Sequence, residues 1–122
     1  MRHALIVLVM LIGGCGTTSS NYSVGTQQSY TSLSDQRAAS QLPVVSTLPA
    51  DGRRIGTVDA ARCHRDFTQT APREEDLIAD LKTAAYAKGA DGIAEVQISK
   101  SSGLTQNCWY MLNGKAIAYA KK

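Results

Sequence analysis

Cysteine is the residue that most constrains this chain. Three occur in 122 residues, Cys15, Cys63 and Cys108. The first stands directly behind an apolar run. Arg2 and His3 make a positive start, and Ala4 to Ile12 is unbroken apolar sequence. Nine residues are too few to cross a bilayer, which takes about 20. A charged start, a short apolar core and small residues before a cut site describe a secretory signal peptide over residues 1–14. An exported chain occupies an oxidising compartment, where paired cysteines persist as disulfides. Cys63 and Cys108 are then the natural pair.

Ile12-Gly13-Gly14-Cys15 resembles the bacterial lipobox. In that motif small residues give the peptidase access to the bond before the cysteine, whose thiol and new amine are acylated. Each buried CH₂ contributes about 0.8 kcal/mol, and two or more chains anchor stably where one does not. Cys15 is therefore the expected lipidation site. Gly16 follows it, and in the common sorting rule a residue other than Asp there directs a lipoprotein to the outer membrane.

Cleavage before Cys15 removes Arg2 and leaves 12 basic residues against 10 acidic, in 108 residues. A net charge of about +2 with no Lys/Arg block does not suggest nucleic acid, and the length allows one domain. Of the 35 residues from Gly16 to Ala50, 17 are Ser, Thr or Gln, and only Asp35 and Arg37 are charged. The apolar residues follow no sustained period. Residues 15–50 read as a lipidated cysteine and a disordered tether, with a coil span of roughly 30–35 Å. The alternative is that Leu42 to Leu48 packs as an extra edge strand.

Residues 51–122 carry the folding signals. Ile55 to Val58 reads as a short strand, ended by a charged turn over Asp59 to Asp66. Pro72 suits a first helical position, and Glu74, Glu75 and Asp76 favour a helix start. Leu77, Ile78, Leu81, Ala84, Ala85 and Lys88 form one stripe, and Gly89 is placed as the stop. Ile93 to Ser99 alternates as a half-buried strand. Lys100 to Asn107 reads as a polar loop. Cys108 to Ala120 is strand again, either split into a hairpin at Asn113-Gly114 or one strand with a bulge at Gly114.

The expected fold is α+β: a small β-α-β-β domain with one helix on a three- to four-stranded mixed sheet. A strand, a crossover helix and a second strand give a parallel pair, and the third strand runs antiparallel to the second. Cys63 and Cys108 then share one edge of the sheet and staple it. Closing that loop is worth about 4 kcal/mol, which matters in a domain of this size. Cys63-His64 as metal ligands or as a catalytic pair is disfavoured, because strand neighbours point to opposite faces. The expectation is no metal, no cofactor and no enzyme. His64 is the only histidine after the signal segment, the acids fall on solvated turns and a helix start, and Ser101-Ser102-Gly103 reads as a loop. The glycines are too dispersed for a phosphate loop. Trp109 and Tyr110 read as core and edge residues of the sheet, with a partner-facing role as the alternative.

The stretches "IGTVDAARC", "AAYAKGADGIAEVQI" and "NCWYMLNGKAIAY" resemble the RcsF-like outer-membrane lipoproteins, envelope-stress sensors that feed a phosphorelay. The wider YbjQ-like superfamily shares a GA-[ND]-x-[VI] turn and a late G-x-A strand. The likeness covers Arg53 to Tyr119, with the lipobox and tether layout. Cys63 and Cys108 match one disulfide of that family, whereas its second pair has no counterpart near Ile98 or Asn113. The resemblance implies a lipid end in the outer membrane and a tether that engages outer-membrane β-barrel proteins. It also implies a periplasm-facing domain that meets an inner-membrane regulator. No small-molecule substrate is evident in the residues, and the likeness to YbjQ-like domains gives ligand or metal binding as a third, weaker reading. A structural or assembly accessory lipoprotein is the rival reading.

Overall fold

The computed structural model describes the backbone of residues 22–23, and residues 32–66, 68 and 70–122. Residues 1–14, Cys15 and the rest of 16–31 lie outside the described residues. Five strands form one mixed sheet: β1 (Tyr22–Ser23), β2 (Val44–Val45), β3 (Gly52–His64), β4 (Gly92–Ser102) and β5 (Tyr110–Lys121), in the spatial order β1-β3-β5-β4-β2. Two helices accompany them, α1 (Leu33–Ser40) and α2 (Glu74–Ala87). The α+β class is as expected.

The strand arrangement is not. The connection β3-α2-β4 was expected to make a hydrogen-bonded parallel pair. Instead β5 lies between β3 and β4 and pairs antiparallel with both. β3 and β4 are thus parallel to each other without pairing. A strand with two long antiparallel ladders satisfies its backbone on both edges, and β5 is long enough for both.

Asn113-Gly114 makes no hairpin. Gly114 pairs with Ala60 on one side and Ile98 on the other, inside an unbroken strand. Nor is there a bulge at Gly114. The register shifts fall on the partners, between Arg54 and Gly56 and between Ala94 and Gln97. Glu95 takes a positive φ of 53° at the second. Glycine at 114 serves packing instead. A Cβ there would stand 2.9 Å from Leu77 Cδ2 and 3.2 Å from Leu81 Cδ1.

Both leucines are fully buried, and with Val58, Ala60, Ala85, Ala90, Ile93, Ala116 and Ala118 they form the main core. The stripe expected on the helix faces the core as far as Ala85: Leu77, Leu81 and Ala85 are buried and Ile78 and Ala84 half-buried, whereas Lys88, expected to continue it, is exposed at the C-cap. The helix starts later than expected, because Pro72 lies before the N-cap. Arg73 is extended there, and its N–H donates to Asp76 Oδ2 at 3.3 Å. Its end is as expected. Gly89 has φ 79° and donates to the Tyr86 carbonyl, while Ala90 donates to that of Ala85. This is a Schellman cap.

The charged turn expected over Asp59 to Asp66 is strand as far as His64. Asp59 is exposed, while Val58 and Ala60 are buried beneath α2. Likewise the loop expected from Lys100 is strand to Ser102, then a single 3₁₀ turn at Leu104–Gln106.

Residues 32–50, assigned above to the tether, are folded. Ser32 caps α1 by accepting from the Asp35 N–H, and Ala39 is buried. Lys82 Nζ on α2 donates to the Ser40 carbonyl at 3.1 Å. Val44 and Val45 pair parallel with Ile93 and Ala94, so the edge-strand alternative holds. One helix and at most four strands were expected, against two and five.

Gly114→Ala should destabilise the domain by about 1–3 kcal/mol, the usual cost of overpacking, without breaking β5. Urea unfolding of the variant, with its amide exchange pattern unchanged over Tyr110–Lys121, checks both points.

Candidate interaction surface at the disulfide end

β3 and β5 lie side by side at one end of the sheet, where Cys63 pairs with Met111 and His64 with Tyr110. Cys63 and Cys108 are both buried and form a disulfide, with Cα atoms 5.6 Å apart. Met111 and Ala61 pack around it. This second, smaller core sits on the face away from α2.

The loop before β5 is shaped by two residues. Gly103 accepts from the N–H groups of Gln106 at 3.0 Å and Cys108 at 2.8 Å. A side chain at Gly103 would run into Cys108 Cβ. Asn107 is left-handed, φ 57°, a conformation that asparagine tolerates better than most residues. Trp109 N–H then donates to the His64 carbonyl at 2.7 Å. The loop is thus pinned at its base. Its apolar side chains face outward, Leu104 80% exposed and Trp109 65% exposed. Trp109 is therefore neither core nor sheet edge, and only the folded loop reveals that.

The other face of this end carries polar groups. His64 is buried, with its ring 4.9 Å from that of Tyr110. Lys100 Nζ lies 3.9 Å from the Tyr110 ring centroid, a cation–π contact. His64 Nδ1 has no hydrogen-bond partner among the described residues. Asp66 accepts from the Thr68 N–H at 2.9 Å, and this bond, then one from the Thr68 hydroxyl, holds its carboxyl below the usual range.

One polar pair escaped the sequence reading. Asp80, counted above among solvated acids, is only 8% exposed and takes both forks of Arg62, Nε at 2.7 Å and Nη2 at 2.9 Å. That hydrogen bonding raises the guanidinium above its ordinary value. The signal was present in the helix pattern. Leu77, Asp80, Leu81 and Ala84 follow i, i+3, i+4, i+7, so Asp80 falls on the apolar stripe.

Among the described residues no three His, Cys, Asp or Glu side chains gather as metal ligands. As a disulfide, Cys63 and Cys108 offer no thiolate. Cys63 and His64 occupy successive strand positions and so point to opposite faces, as reasoned above. What this end presents is contact chemistry: an outward indole, an outward leucine and a lysine over a ring. No protein-family model matches the chain, and no curated protein matches it significantly.

Two outcomes follow. Replacing both cysteines by alanine should lower stability by about 4 kcal/mol, from the 45-residue separation of the bridge; urea midpoints of the two proteins measure it. Arg62→Met alone removes the bidentate partner of a buried carboxylate and should cost about 3 kcal/mol, whereas Arg62→Met with Asp80→Leu should recover most of that loss. A double-mutant cycle in denaturant separates the two effects.

Proposed function

We propose that this protein is an outer-membrane lipoprotein that acts through protein contacts, a RcsF-like envelope-stress sensor whose domain faces the periplasm. It is not an enzyme in this reading. The observation that carries it is the cysteine distribution. The Cys63–Cys108 disulfide suits an oxidising compartment, and it leaves Cys15 alone in the lipobox position. In the resemblance stated above, the partners are an outer-membrane β-barrel protein and an inner-membrane regulator.

A structural or assembly accessory lipoprotein is the second reading, and a specific observation favours it. A bridging sensor needs reach. With α1 and β2 folded into the domain, residues 32–50 add none, so the free reach is shorter than the composition suggests. The second disulfide of the sensors also has no counterpart among these three cysteines.

Cys15→Ala should leave the chain unlipidated and uncleaved at this site, and should release it from the outer-membrane fraction. Membrane fractionation with intact-mass measurement is the check. A variant that still sediments with outer membrane overturns the anchor. A phosphorelay reporter under envelope stress then divides the two readings: loss of induction on deletion of the chain supports the sensor, and unchanged induction supports the accessory role.

A further inference from the structure

The antiparallel register of β1 on β3 sets Tyr22 opposite Cys63 and Ser23 opposite Arg62. The chain therefore enters the sheet at the disulfide end, with Tyr22 nearest that end and Ser23 one step inward. Six residues lie between Cys15 and Tyr22, seven steps along the backbone. Fully extended, they span at most about 25 Å. On the reading of Cys15 as lipidated, on which this inference rests, the bilayer surface lies within that distance of the disulfide end.

This same end carries the outward Leu104 and Trp109. Four large apolar side chains are exposed among the described residues, Leu33, Val44, Leu104 and Trp109. Leu33 begins α1, and Val44 lies on β2 at the opposite edge of the sheet. Only Leu104 and Trp109 share a loop, and that loop is held rigidly by the disulfide, by Gly103 and by the Trp109–His64 bond. Tryptophan is enriched where apolar and aqueous media meet, because its ring is amphipathic. Leu104, five residues earlier in the same loop, adds apolar area without a charge to desolvate.

We propose that the Leu104–Trp109 loop docks on the lipid headgroup region of the leaflet that holds Cys15. Two side chains would bind a bilayer weakly on their own. A short covalent link turns the encounter into an intramolecular one at high effective concentration, so weak apolar contact suffices. The domain then lies against the membrane with its disulfide end down and the opposite end of the sheet, around Gly52 and Lys121, raised toward the solvent.

Trp109 is the only tryptophan of the chain, so indole fluorescence reports this loop alone. The experiment uses the full mature lipoprotein in protein-free vesicles of phosphatidylethanolamine and phosphatidylglycerol, with a Cys15→Ala chain made without residues 1–14, in buffer, as the exposed reference. Intact mass and vesicle flotation establish the lipid. The expected result is a blue-shifted emission, loss of quenching by aqueous acrylamide, and quenching by lipids brominated close to the headgroup. Leu104→Ser, an exposed substitution that leaves the disulfide in place, should diminish all three signals. A lipidated, floating protein whose Trp109 stays as accessible as in the reference overturns the docking and leaves the anchor standing. A chain that carries no lipid overturns both. Protection seen in native outer membrane but absent in protein-free vesicles identifies a protein as the occupant and overturns lipid docking.

Discussion

The contact of Leu77 and Leu81 with the bare backbone of Gly114 is the interaction on which the domain depends. It lets α2 lie close on β5, and β5 is the strand that joins both halves of the sheet. The rest of the core is mostly alanine and small aliphatic residues, which fill a thin space between helix and sheet and supply little area each. A side chain at position 114 would lift the helix from that layer. The glycine is there so that the helix can come down, and the alanines beneath it follow from how close it comes.

Small apolar area has to be supplemented. The domain does so in two places on opposite faces of β3. On the α2 face, Arg62 and Asp80 satisfy one another in a bidentate pair that would be costly to leave half made. On the other face, the Cys63–Cys108 bridge closes over Met111 and Ala61. These groups occupy adjacent positions of one strand, so a single short stretch of β3 tethers both the helix and the loop before β5. The exposed pair Leu104 and Trp109 is held in place as a by-product of that bridge.

What could be read in advance was local in origin. The α2 stripe and its Gly89 stop depend on residues within one turn of each other, and both stand as expected except at Lys88. The cysteine pairing was legible from strand direction: a last strand antiparallel to the first brings its start beside the end of the first, and that direction holds although β5 has a different neighbour from the one expected. Features set by distant contacts were not legible. Asp59 to His64 looked like a turn because its charges were counted without asking where Arg62 finds a partner. Asn113-Gly114 carried a strong hairpin signal that the leucines of α2 override. The Ser-rich segment of α1 has little apolar periodicity, and it is ordered by Ala39 and the Lys82 bond to Ser40. In the candidate surface the disulfide was foreseen. The outward aim of Trp109 stood only as the alternative to a core or edge position, because the fold of the 103–108 loop decides between them.

The placement of β5 between β3 and β4 carries a kinetic consequence. Both flanking strands precede it in sequence, and neither has another long partner. Pairs such as Gly52 with Lys121 close loops of nearly seventy residues. Until β5 has been made, β3 and β4 have only the two-residue ladders of β1 and β2 to hold them. A chain emerging from its N-terminus thus has helix propensity early and a sheet only late. Non-local pairing of this kind makes folding slow and all-or-none. Such a chain gains most of its sheet in one step, when its central strand arrives.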